Sequence, residues 1–127
     1  MIWVPIGAVI AIHDRQIARH GGAAGMRYMG LLENALARPM NANAYGVGDV
    51  HALAAGYAFG IAKAHAFVDG NKRTAFVTAA TFLRLNGHAF RPDPEQVERA
   101  MNDIASGALS EGGFADWLAR GSRPLAD

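Results

Sequence analysis

Apolar residues recur along most of the chain at the three- and four-residue spacing of helices, and strict alternation of the β kind is scarce. The pattern predicts a first helix from about Gly7 to His20, with Ile10, Ile17 and Ala18 on one side and Gly21-Gly22 as its stop. A glycine-rich loop carrying Arg27 and Tyr28 follows, up to Gly30. A short helix from Leu31 to Arg38 is expected to end at Pro39, because the residue before a proline resists helical geometry. Met40 to Gly48, with its asparagines and glycines, reads as a flexible connector. Asp49 is placed to cap a helix in which Val50, Leu53, Ala54, Tyr57, Ala58 and Ile61 share one face, ending near His65. An almost uniformly apolar run from Ala75 to Leu85 marks a buried central helix that opens at Gly70 or Asn71 and stops at Asn86-Gly87. Its alanines at 75, 79 and 80 permit close approach of neighbouring helices.

His88 to Arg91 is short and extended. Asp93-Pro94-Glu95 then supplies an N-cap, a first-turn proline and a first-turn acid for a helix that turns Val97, Met101, Ile104 and Ala105 inward. Ser110 can cap a last helix bearing Phe114, Trp117 and Leu118, and residues 121–127 read as a frayed tail. These elements sum to an all-α, compact helical bundle forming a single domain over residues 1–127.

Composition narrows the function classes. The chain has 127 residues, 51% of them hydrophobic and 18% charged, which suits a globular domain with a real core. A net charge of +1 gives no support for direct nucleic-acid binding. The absence of cysteine excludes disulfides and thiolate metal sites and suits a reducing cytoplasm. No basic leader precedes an apolar segment and no apolar run is long enough to span a bilayer, so neither secretion nor a membrane is expected.

Candidate chemistry concentrates in His65-Ala66-Phe67-Val68-Asp69-Gly70-Asn71-Lys72-Arg73-Thr74, a loop closing onto the first turn of the central helix. A helix start offers free backbone N–H groups and a positive dipole end, so it attracts anions such as phosphate. Cations at that end oppose the dipole unless an anion sits between, so Lys72 and Arg73 are themselves an argument for a bound phosphate. Gly70 allows a tight turn or close backbone approach, and Asn71 could cap the helix or donate from its amide. Thr74 could add a hydroxyl contact or bond back to its own helix. Asp69 is a carboxylate suited to Mg²⁺ when nucleotide phosphates complete the coordination, or else a simple helix cap. His65 could accept the proton of an attacking hydroxyl; alone it would read as a helix-end histidine. Phe67 is expected to plug into the core and anchor the loop. These are parts of a phosphoryl- or nucleotidyl-transfer site.

The same segment closely resembles the signature of the Fic/Doc family, His-Pro-Phe-x-(Asp/Glu)-Gly-Asn-(Gly/Lys)-Arg, with Ala66 in place of the proline. Lys72 before Arg73, followed by Thr74-Ala75, looks like the Doc branch. His13-Asp14, Gly21-Gly22, Gly30-Leu31-Leu32-Glu33, Ala35 to Pro39 and Phe82 to Gly87 also look Doc-like and stand in the expected order. Arg27-Tyr28 departs from the Arg-Asp common in related loops.

The resemblance implies the compact helical Fic/Doc fold and a toxin of a toxin–antitoxin pair. Fic proteins commonly move AMP, using glycine where this chain has Lys72 and a second arginine where it has Phe76. In the Doc branch those departures accompany transfer of the γ-phosphoryl group of ATP to a threonine of elongation factor Tu, which arrests translation. By resemblance, His65, Asp69, Lys72 and Arg73 are catalytic, Gly70 to Thr74 bind the nucleotide, Asp69 holds Mg²⁺, and a Phd-like antitoxin supplies an inhibitory helix. AMP transfer and a non-catalytic antitoxin-binding domain are the two rival readings. No Walker motif and no Gly-x-Gly-x-x-Gly loop is present.

Overall fold

A helix that is apolar all round belongs in the middle of a protein. The segment Val50–Ala64 (α3) is such a helix, and every residue from Leu53 to Ala62 is buried. It therefore buries its whole circumference here rather than the single face expected. In this computed structural model, which describes residues 1–125, α3 is surrounded by α2 (Met29–Ala44), α4 (Asn71–Leu85) and α6 (Glu111–Gly121). The helix α1 (Ile6–His20) packs on α4, and α5 (Pro94–Ser106) closes the far side. The result is an all-α bundle whose only strands among the described residues are two antiparallel pieces, β1 (His88–Ala89) and β2 (Arg123–Pro124). No helix of the described residues is long and apolar enough to cross a membrane.

The caps fall where local chemistry puts them. The Asp49 side chain accepts from the His51 N–H, Asp93 and Gln96 form a capping box, and the Ser110 side chain accepts from the Gly113 N–H.

Ala105 is exposed on α5 rather than turned inward, and three larger expectations are corrected. Pro39 does not end α2, which runs on to Ala44 and absorbs half of the supposed flexible connector. A proline at 39 cannot donate to the Ala35 carbonyl. Here the penalty is outweighed by tertiary packing, because Leu32, Ala35, Leu36 and Pro39 form one buried stripe against α3. The stripe meets two glycines. Pro39 lies over Gly56, and a Cβ at Gly60 would stand 2.9 Å from the Ala35 carbonyl oxygen. Backbone cannot yield as a flexible side chain can, so Gly60→Ala should force α2 and α3 apart. A loss of about 1–3 kcal/mol, the usual scale of overpacking, is expected in urea unfolding.

The second correction concerns α1, whose buried residues are Val9, His13 and Gln16, while Ala18 is exposed and Ile10 and Ile17 only half-buried. The third concerns the tail. Gly121 belongs to α6, His88 pairs with Pro124, and the Leu125 N–H donates to the Gly87 carbonyl, so the chain is tied down through 125 rather than frayed. Residues 126 and 127 lie outside the described residues.

Candidate active site

The loop between α3 and α4 turns at two left-handed residues. His65 caps α3 at φ 48°, ψ 42°, and Gly70 opens α4 at φ 75°, ψ 18°. Between them, Ala66 and Phe67 are buried. The Asn71 side chain turns back along the loop rather than capping α4. Its Oδ1 accepts from the Phe67 N–H at 3.1 Å and its Nδ2 donates to the Phe67 carbonyl at 3.0 Å. One side chain thus satisfies both backbone groups of the anchor residue, as a neighbouring strand would.

The loop after α1 supports the other side. The N–H groups of Arg27 and Tyr28 both donate to the Ala66 carbonyl, the Val68 N–H donates to the Gly25 carbonyl, and Met26 bridges to Phe67. These bonds hold the backbone at position 66, where alanine stands in place of a ring-locked proline. His13 completes the frame from α1. Its Nε2–H donates to the Asp69 carbonyl at 2.8 Å, and its ring stacks on Phe67 with centroids 3.8 Å apart and planes 9° from parallel.

Asp69 is exposed but not loose. Its Oδ2 accepts from the Ala23 N–H at 3.2 Å and its Oδ1 from its neighbour Gly70 N–H at 2.8 Å. The Ala23 bond, and after it the Gly70 bond, hold the carboxyl below the usual aspartate range. The contribution of these bonds to the folded loop is complete above the ordinary aspartate value and is lost as pH falls through the lower, folded value. Gly22 makes the approach possible. It sits at φ 112°, and a Cβ there would stand 2.7 Å from Asp69 Oδ2. Gly22→Ala should push the carboxylate off the Ala23 N–H. Carboxyl ¹³C NMR should then show the Asp69 midpoint rising toward the ordinary aspartate value; an unmoved midpoint would mean that the glycine does not position it.

No side chain among the described residues caps the start of α4, which leaves its first N–H groups without a side-chain partner. Arg73 is exposed and pairs with no described residue. The Lys72 ammonium donates to Asn102 Oδ1 of α5 at 2.9 Å, so it must leave that partner, or share it, to reach a phosphate. Thr74 is corrected out of the ligand set. It is fully buried and its Oγ1 has no hydrogen-bond partner, so it neither faces a ligand nor bonds back along its helix. His65 is exposed and its ring bonds to no described residue. Among the described residues, no group of three or more His, Cys, Asp or Glu side chains is arranged to hold a metal ion. A cation at Asp69 would therefore depend on oxygens brought by a nucleotide.

A model of the Fic/DOC family matches residues 3–83, which takes in α1, the loop after it, and the whole of the 65–74 segment. The chain belongs to the Fic/Doc family. It is 37% identical over 113 residues to a protein kinase doc of Escherichia phage P1, covering 88% of this chain and 89% of that one. It is also 43% identical over 91 residues to a toxin Doc of Mycolicibacterium smegmatis, covering 68% of this chain and 69% of the relative.

Sequence reasoning found the residues of the Fic/Doc loop and missed what holds them. His13 stands in the sequence only as part of a family-like dipeptide, yet it carries the Asp69 backbone. Gly22 was read only as a helix stop, yet it is the seat of the Asp69 carboxylate. The signals were the dipeptides His13-Asp14 and Gly21-Gly22. Nothing local connects them to residues more than forty positions away.

Proposed function

We propose that this Fic/Doc protein is a Doc-type phosphotransferase, the toxin of a toxin–antitoxin pair. It moves the γ-phosphoryl group of ATP to a hydroxyl, a threonine of a translation protein such as elongation factor Tu, and so arrests translation in the cytoplasm. One observation carries this reading above the others. The His65 ring is left unbonded on a loop whose other polar side chain, Asp69, is hydrogen-bonded and which Asn71 ties back, next to an uncapped helix start that carries an exposed arginine.

In the proposed reaction a ring nitrogen of His65 takes the proton of the target hydroxyl. The hydroxyl oxygen forms a bond to the γ-phosphorus, the bond from that phosphorus to the bridging oxygen breaks, and ADP leaves with the electron pair. Arg73 and the first N–H groups of α4 meet the charge on the transferring group. Lys72 adds a further charge when it turns from Asn102. Gly70 keeps the backbone open at the helix start, and Asn71 holds the loop in register. Mg²⁺, held by Asp69 together with phosphate oxygens, would supply charge neutralisation on the nucleotide.

Phosphoryl rather than adenylyl transfer is favoured by Phe76. At the position where AMP-transferring relatives carry a second arginine, this side chain joins an apolar cluster with Phe90 and Trp117, at centroid separations of 6.1 and 6.4 Å.

The proposed antitoxin partner is a Phd-like chain whose inhibitory segment folds as an amphipathic helix on this protein. Its proposed seat is a mostly apolar groove of about 650 Å³ between the chain start and α2, lined by Trp3, Ile6, Met29, Leu36 and Met40 with Glu33 among them. Met40 is 47% exposed there, and Met40→Glu should weaken antitoxin binding at least tenfold in calorimetry while leaving catalysis intact. Expression of the protein in a bacterial host should stop incorporation of labelled amino acids, and His65→Ala should restore it. Arrest that persists in His65→Ala would exclude catalysis as the cause.

A further inference from the structure

One long side of α4 faces away from the core. At 3.6 residues per turn the helix sends Ala75, Ala79, Phe82 and Leu83 inward and sets Arg73, Val77, Ala80 and Arg84 on the opposite side. Arg73 and Arg84 are exposed, and Val77 and Ala80 between them are half-buried. β1 and the residues after it run beside this side and complete a cleft of about 190 Å³, lined by Phe76, Val77, Ala80 and Phe90 together with Arg84 and Arg91. No carboxylate lines the cleft, and neither guanidinium pairs with a carboxylate of the described residues. A cation in the last turn of a helix meets the negative end of the dipole, which accounts for Arg84. It does not account for Arg91, which lies outside any helix.

We propose, resting on the phosphotransferase reading above, that this side of α4 is the docking trough for the acceptor segment of the target protein. The segment lies extended along the helix, with an apolar residue about three positions and a carboxylate about five positions from the acceptor hydroxyl. Those spacings follow from the helix. Arg73 stands at the reacting end, and Arg84 is eleven residues further on. That is roughly 16 Å of helical rise, the span of about five residues of extended chain. Ala80 lies between them, about three extended residues from Arg73.

Charge and size select this occupant. Two guanidiniums without acidic partners complement carboxylates, and arginine can grip each carboxylate with two parallel hydrogen bonds. The floor between the cations is apolar, and the Thr81 hydroxyl beside it is already donated to the Val77 carbonyl. A bare anion gains nothing from such a floor, whereas a peptide with an apolar residue ahead of its acid fills it. About 150 Å³ holds a benzene-sized group, so the cleft takes one side chain. An amphipathic helix would bring a row of anchors a turn apart and has no room for them here. Contacts this far from the reacting atoms select the target and hold it, and they leave the chemical step to His65 and Arg73.

The test is an amide NMR titration of the intact chain, without nucleotide, using the peptide Thr-Gly-Ala-Leu-Gly-Glu-Glu and its reversed-order counterpart. At least one of the two should shift the amides of Val77, Ala80 and Arg84 along a single binding curve. Replacing both glutamates by lysine, or Arg84 and Arg91 together by glutamine, should weaken that binding at least about tenfold, the scale of one hydrogen bond to a charged group. With elongation factor Tu as substrate, the double variant should raise the KM for the protein by a similar factor while kcat and the KM for ATP stay put. Wild type that transfers nothing to elongation factor Tu would sink the functional reading, and the peptide titration would still judge the trough by itself. No shift with either acidic peptide, equal binding of the lysine peptides, shifts confined to the groove of Trp3 and Met40, or an unchanged KM in the double variant would overturn the trough.

Discussion

His65→Gly is expected to abolish phosphoryl transfer without lowering the stability of the fold. His65 is the only non-glycine residue with positive φ among those described. A side chain in the left-handed region costs roughly 1–2 kcal/mol, and glycine removes that cost. Glycine also makes the unfolded chain more flexible, which offsets about 0.4–1 kcal/mol. The balance leaves stability unchanged or raised by up to about 1.6 kcal/mol. The imidazole is exposed and bonds to no described residue, so its loss removes no packing. Activity should nonetheless fall by at least the roughly 10²–10⁴ that a general base contributes. Parallel measurement of turnover and unfolding temperature checks both halves. A histidine that merely finished α3 would give the same stability but leave the enzyme active.

Asn71→Ala should damage both quantities. The substitution orphans the N–H and the carbonyl of Phe67, a residue only 2% exposed. An unsatisfied buried group costs about 1–3 kcal/mol, so a loss of about 2–6 kcal/mol is expected for the two together in urea unfolding. Asn71→Asp separates the two bonds. The carboxylate can still accept from the Phe67 N–H, but it sets a second oxygen against the Phe67 carbonyl, so it should be no better than alanine. Loss of turnover should accompany both, because the loop that sets His65 and Asp69 is no longer held in one position. If Asn71 were instead a free phosphate donor, either variant would raise the KM for nucleotide and leave unfolding unchanged.

The fold was legible wherever the signal is local. Asp49, Asp93 and Ser110 cap helices because each side chain bonds a backbone group two or three residues on, and such spacing can be read from the chain. Pro39 was misread because its local penalty is real but smaller than the packing it gains against Gly56, a residue that the sequence does not show to be its neighbour. The inward face of α1 was misread for a related reason. A search for apolar periodicity passes over His13 and Gln16, which are buried beside Val9. His13 is tolerated there because it is bonded to Asp69 and stacked on Phe67.

The site divides in the same way. Its family motif named the exposed groups, His65, Asp69 and Arg73. Burial removed Thr74, and a hydrogen bond engaged Lys72. The supports at His13, Gly22, Ala23 and Asn102 came into view only once the chain was folded, because each touches the loop from a distant part of the sequence.

The central claim is that His65 drives transfer of a phosphoryl group. Elongation factor Tu incubated with Mg·ATP and the protein, then weighed intact by mass spectrometry, tests it most directly. The expected gain is about 80 Da, one phosphoryl group, absent when His65→Ala replaces the wild type. A gain of one adenylyl group instead, or a phosphoryl gain that survives His65→Ala, would contradict the account.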